Sequence, residues 1–156
     1  MNTNHKTSFR KIFCLKLAML SILAVKGDSI EPGYIPINGL EQWIYYLGHD
    51  ADKPLILFLH GGPGTPETPF LLKYNQNLAE NFIVVLWEQR GAGKSYRKKI
   101  PDSTMTVAQF VEDAHAVTQF IKQKFKRDQI YLMGHSWGTL IGIKAAEKYP
   151  PGKIPD

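Results

Sequence analysis

The 156 residues predict an α/β fold, a mostly parallel sheet with flanking helices and an N-terminal hairpin. Two unbroken apolar runs, Leu55-Ile56-Leu57-Phe58-Leu59 and Phe82-Ile83-Val84-Val85-Leu86-Trp87, suit strands buried on both faces. Between the second run and another short apolar run at Ile130-Tyr131-Leu132-Met133, the residues Phe110, Ala114, Val117, Ile121 and Phe125 recur at helical spacing. Strand, crossover helix and strand in that order imply parallel pairing.

The domain is expected to begin at about residue 29. Tyr34–Ile37 and Trp43–Leu47 read as short strands joined through Asn38-Gly39, a pair that tolerates positive φ and closes hairpins. Residues 65–80 mix loop and helix, because Pro66 and Pro69 are excluded from a helix interior but fit a first turn. A loop over 88–99 follows the second apolar run. Thr106 and Gln109 have capping-box spacing at the start of the amphipathic helix. Trp137–Tyr149 is expected to be a helix ended by Pro150.

Charge locates rather than classifies the chain. Its net charge is +5, yet five of the nineteen Lys and Arg lie in residues 1–26, where there is no acid; the other fourteen face fourteen acids. The excess belongs to the leader, and the Arg97-Lys98-Lys99 cluster reads as a solvated loop, so no nucleic-acid partner is expected. Residues 1–28 form a signal-like or anchor segment: a basic start, then Ile12 to Val25, apolar but for Lys16 and Ser21. That run is short for a lone bilayer span, which needs about 20 apolar residues. Export, membrane contact through this leader, and a poorly structured extension of a cytoplasmic protein all stay open. Cys14 is the only cysteine, so residues 29–156 can form no internal disulfide.

The chemistry is concentrated at Gly134-His135-Ser136-Trp137-Gly138. This Gly-x-Ser-x-Gly pattern lies between an apolar strand and a helix, where a sharp elbow lifts the serine hydroxyl clear of the sheet. Gly134 and Gly138 suit the close backbone approach at such a turn. A serine hydroxyl is a weak nucleophile, so acyl transfer also requires oxyanion donors and a base. The main-chain N–H of Trp137 is one donor; the second is expected from Gly62, in His60-Gly61-Gly62-Pro63-Gly64 after the strand at 55–59. His60 reads as structural because it precedes the serine, His135 should point away from Ser136, and His115 falls in mid-helix.

Gly91-Ala92-Gly93-Lys94-Ser95 brings to mind a phosphate-binding loop. That loop needs a glycine where Glu88 stands, so a nucleotide-binding reading fails on its first position. No cluster with metal-ligand spacing appears, and neither metal nor other cofactor is expected.

Three blocks together resemble the proline iminopeptidase branch of the α/β-hydrolase superfamily: His60–Gly64, Trp87-Glu88-Gln89-Arg90-Gly91-Ala92-Gly93-Lys94-Ser95, and Gly134–Gly138. The resemblance implies that Ser136 is the nucleophile, that Gly62 and Trp137 line the oxyanion hole, and that the activity is an aminopeptidase acting on small peptides. A carboxylesterase acting on esters, and a non-catalytic remnant or binding scaffold, are the alternatives. Glu88 stands where the family has Asp, and Thr65 where another glycine is common. In the family an acid and a histidine follow the serine. Here no histidine follows Ser136, and the only later aspartate is Asp156. The expectation is therefore a truncated hydrolase fold, residues 29–156, lacking the cap and C-terminal half, nearly inactive alone unless a separate chain carries the missing half.

Overall fold

The computed structural model describes residues 30–150. The leader, Cys14 and Asp156 lie outside the described residues. Five strands form one mixed sheet: β1 (Gly33–Ile37), β2 (Leu40–Leu47), β3 (Leu55–Leu59), β4 (Ile83–Glu88) and β5 (Tyr131–Gly134), in the order β1-β2-β4-β3-β5. Three helices accompany them: α1 (Thr68–Tyr74), α2 (Val107–Phe125) and α3 (Trp137–Lys148).

The expected hairpin is present, with Asn38 at φ 45° and Gly39 at φ 78° closing it. Both central residues have positive φ, the geometry whose twist matches the flanking strands. Strand β2 is longer than expected at its start and pairs antiparallel with β4. The two parallel pairs both involve β3, with β4 on one side and β5 on the other. The hairpin therefore extends the parallel part rather than standing apart from it.

Alternation along β3 and β4 divides the core into two layers, because successive side chains in a strand point to opposite faces. Leu55, Leu57, Leu59, Ile83, Val85 and Trp87 face α2 and α3, meeting Phe110, Ala114, Val117, Ile121 and Ile141. Ile56, Phe58, Val84 and Leu86 face the other way, with Leu47 and Leu71 of α1. Burying each large aliphatic side chain contributes about 1.5–3 kcal/mol, so these central strands anchor both layers.

Helix α2 begins as the sequence implies, Thr106 Oγ1 accepting from the Gln109 N–H at 3.2 Å. The reciprocal half of the capping box does not form, because the Gln109 side chain turns to Asp113 instead, at 2.9 Å. Pro69 sits in the first turn of α1, where its missing N–H costs nothing. Strand β4 carries on through Glu88, one residue beyond the expected loop boundary. At the other edge, β5 exposes Tyr131, Leu132 and Met133, and α3 exposes Leu140 and Ile143.

Candidate active site

Strand β5 ends at Gly134, and after only His135 and Ser136 α3 begins at Trp137. The ladder continues one step past the strand, with the His135 N–H donating to the Leu59 carbonyl at 3.1 Å. Ser136 then takes φ 50°, ψ −115°, a left-handed conformation costly for a residue with a Cβ. The chain tolerates it because both flanking glycines let backbones meet. A Cβ on Gly138 would overlap the Leu59 carbonyl oxygen, and one on Gly134 would lie 2.7 Å from the Gly138 carbonyl oxygen. Ser136 is exposed at the mouth of this corner.

The glycine loop after β3 lies against the serine. A Cβ on Gly61 would stand 3.4 Å from Ser136 Cβ, and Gly62, at φ 114°, follows it. Trp137 is the first residue of α3, a position whose N–H has no acceptor within the helix and lies at its positive end. Ser136, the glycine loop and the start of α3 thus converge on one exposed corner.

The histidines fall as follows. His60 is 2% exposed, and both its ring nitrogens face main-chain groups: Nδ1 the Gly61 carbonyl at 2.7 Å, Nε2 the Gln89 N–H at 3.0 Å. A nitrogen accepting from an N–H is unprotonated, so the proton sits on Nδ1 and donates to Gly61. Burial holds the His60 pKa below its ordinary 6.5, against the opposing pull of the Gly61 hydrogen bond and of the Glu67 and Glu88 charges. His135 pairs through Nδ1 with Glu67 Oε1 at 2.5 Å. His115 stacks on Tyr149 with ring centroids 3.7 Å apart.

The loop after β4 is locked by its own side chains. Glu88 Oε2 accepts from the Lys94 N–H at 2.5 Å; Ser95, fully buried, donates to the Glu88 carbonyl and accepts from the Trp43 N–H at 2.7 Å. The Lys94 ammonium stands 4.0 Å from the centre of the Trp43 ring. The carboxylate at position 88 therefore occupies a main-chain amide that a phosphate-binding loop would turn toward its ligand.

Sequence reasoning missed Asp113. Its carboxylate, fully buried, accepts from Asn38 Nδ2, Gln42 Nε2, Gln109 Nε2 and both Nε and Nη2 of Arg90, all within 3.1 Å. This hub joins the hairpin turn, β2, α2 and the loop that carries Gln89. A signal was available: Asp113 stands three residues after Phe110 and four before Val117, so it lies on the apolar stripe. Among the described residues, no buried side-chain polar atom lacks a hydrogen-bond partner.

Residues 54–155 match the family model described as the alpha/beta hydrolase fold. A probable aminopeptidase of Bacillus subtilis is 40% identical over 116 residues, which cover 74% of this chain and 36% of the relative. A proline iminopeptidase of Thermoplasma volcanium is 33% identical over 126 residues, covering 80% and 40%. Among solved structures, a proline iminopeptidase-related protein from Thermus thermophilus superposes with a TM-score of 0.63 at 26% identity, covering 78% of this chain and 41% of that one. An epoxide hydrolase from Vigna radiata shares the fold, with a TM-score of 0.62 at 23% identity, covering 80% and 37%. The chain thus spans well under half the length of these relatives.

Proposed function

Starting from a chain that belongs to the alpha/beta hydrolase fold family and is similar over most of its length to part of a probable aminopeptidase and of proline iminopeptidases, we propose that it carries the nucleophile and oxyanion hole of a serine aminopeptidase. The supporting observation is the Ser136 corner, with its left-handed backbone between β5 and α3 and the Gly61-Gly62 loop beside it. In this reading the Ser136 hydroxyl attacks the carbonyl of a peptide's first residue. The Trp137 and Gly62 N–H groups hold the resulting oxyanion. The proton of the hydroxyl passes to a base, which gives it to the amine of the shortened peptide as the collapse expels it and leaves an acyl-enzyme; water then hydrolyses the acyl-enzyme, giving the free acid and restoring the hydroxyl.

The same constellation would serve an ester. A peptide is preferred because the similar proteins named above are aminopeptidases and iminopeptidases. Residues 137–156 contain no histidine, so the 156 residues assayed alone are expected to turn over slowly, the oxyanion hole alone giving only a small part of the usual acceleration. A separate polypeptide carrying the acid and histidine is one source of the missing base.

A fluorophosphonate probe tests this reading. Slow labelling at Ser136, abolished in Ser136→Ala, is expected from the 156-residue chain. Rapid stoichiometric labelling would show that these residues already hold a proton acceptor. Modification of some other side chain would overturn the assignment of the nucleophile, and complete inertness would favour the scaffold reading.

A further inference from the structure

We infer that Gln89 is a positioning residue of the oxyanion hole, fixing the Gly62 and Trp137 donors relative to one another through a single buried side-chain amide. The inference rests on the reading of Ser136 given above and deepens it.

Gln89 is fully buried between the two halves of the hole. Its Nε2 donates to the His60 carbonyl at 2.9 Å, and its Oε1 accepts from the Trp137 indole N–H at 3.2 Å. The orientation of the amide is unambiguous, because an indole N–H can only donate and a carbonyl can only accept. One amide thus ties the loop after β3 to the first residue of α3, 48 residues away in sequence from Gln89.

The grip on the loop reaches Gly62 through peptide geometry. The Gln89 main-chain N–H donates to His60 Nε2, which places the ring proton on Nδ1, and that proton is given to the Gly61 carbonyl at 2.7 Å. In a planar trans peptide the C=O and the following N–H point in opposite directions. Holding the Gly61 carbonyl against the imidazole therefore aims the Gly62 N–H the other way. The His60 carbonyl, one peptide earlier, is held by the Gln89 side chain. Main chain and side chain of the same residue thus fix two successive peptide planes of the loop.

No other residue type supplies this pair of contacts as simply. Glutamate would set a second acceptor against the His60 carbonyl, and leucine would strand both that carbonyl and the indole N–H. Behind Gln89, the Arg90 guanidinium is anchored on Asp113, so the backbone bearing the amide is itself held.

The test is a comparison of ¹⁵N NMR spectra of the full 156-residue chain and its Gln89→Leu, Gln89→Glu and Trp137→Phe variants. In Gln89→Leu the Trp137 indole N–H should exchange with solvent about tenfold faster. The Gly61 and Gly62 amide signals should move, while those of Leu57 and Val85 in the central strands stay in place. Gln89→Glu should move the same signals without rescue, although it keeps the length of the side chain. Trp137→Phe removes one donor on α3, yet it should shift the Gly62 signal across the gap. If Gln89→Leu does not fold, Trp137→Phe decides alone. Unchanged Gly62 and indole signals in folded Gln89→Leu, or an unchanged Gly62 signal in Trp137→Phe, would overturn the inference. Failure of fluorophosphonate to reach Ser136 would strike the hydrolase reading while leaving these signals as they are, so the two failures are separable.

Discussion

The Asp113 carboxylate takes two hydrogen bonds from the Arg90 guanidinium, Nε at 2.8 Å and Nη2 at 3.1 Å, in a place where neither side chain is more than 3% exposed. This bidentate pair is the junction through which the hairpin, α2 and the loop leading to Gln89 are held together.

Removing one partner leaves the other charge buried and unpaired, which costs far more than the pair contributes. Asp113→Ala should therefore lose about 3–5 kcal/mol. Asp113→Asn keeps the shape but sets a donor among donors, and should lose about 2 kcal/mol. Denaturant unfolding of the three proteins measures this; an Asp113→Ala variant within 1 kcal/mol of wild type, on the order of a surface change, would contradict the described network.

Two glycines of α3 separate elbow geometry from helix propensity. Gly138→Ala drives a Cβ into the Leu59 main chain and should lose about 3 kcal/mol or fail to fold. At Gly142 the nearest obstacle is the movable Leu59 Cδ1 at 3.2 Å. Alanine is the better helix former by about 1 kcal/mol, so Gly142→Ala should be neutral or stabilising. Thermal melts of both variants check the contrast.

Stability should fall on acidification below about pH 6.5. The folded His60 pKa lies below its ordinary 6.5. As the pH drops through that value the unfolded chain takes the proton first, and unfolding is favoured until the folded pKa is passed. Glu112 acts in a lower window. Its carboxyl is held below its ordinary 4.5, chiefly by hydrogen bonds from Lys148 and Tyr149, so its contribution is present above that value and lost only as the pH falls further. Unfolding curves of wild type and His60→Gln should diverge in slope as the pH falls below about 6.5; parallel slopes would refute the assignment to His60.

Strand β5 has no partner strand on its outer side among the described residues, and Tyr131 is 63% and Leu132 and Met133 each 40% exposed there. Exposed apolar edges template association between chains. The 156-residue chain should aggregate as its concentration rises, and Leu132→Lys should raise the concentration at which light scattering begins. A monodisperse wild-type solution with cooperative unfolding would remove the basis for this expectation.

Much of the fold was legible in the sequence because its signals are local. Apolar runs marked β3 and β4, Asn38-Gly39 marked the hairpin, Thr106 marked the start of α2, and the Gly134–Gly138 block marked the corner at Ser136. Each depends on neighbours a few residues apart, where spacing along the chain is spacing in space. The half-formed capping box shows where this ends: Gln109 has the right spacing to accept from the Thr106 N–H, but its side-chain amide instead donates to the buried Asp113 carboxylate four residues onward.

The sequence by itself determined the elements, their buried stripes and the residue that turns the elbow. Only the tertiary structure decided that β2 lies beside β4, that Asp113 gathers donors from residues as far as 75 positions away, and that Gln89 bridges His60 and Trp137. Such contacts form between faces brought together by packing, and once buried, a polar group must find whichever partner the fold sets within reach.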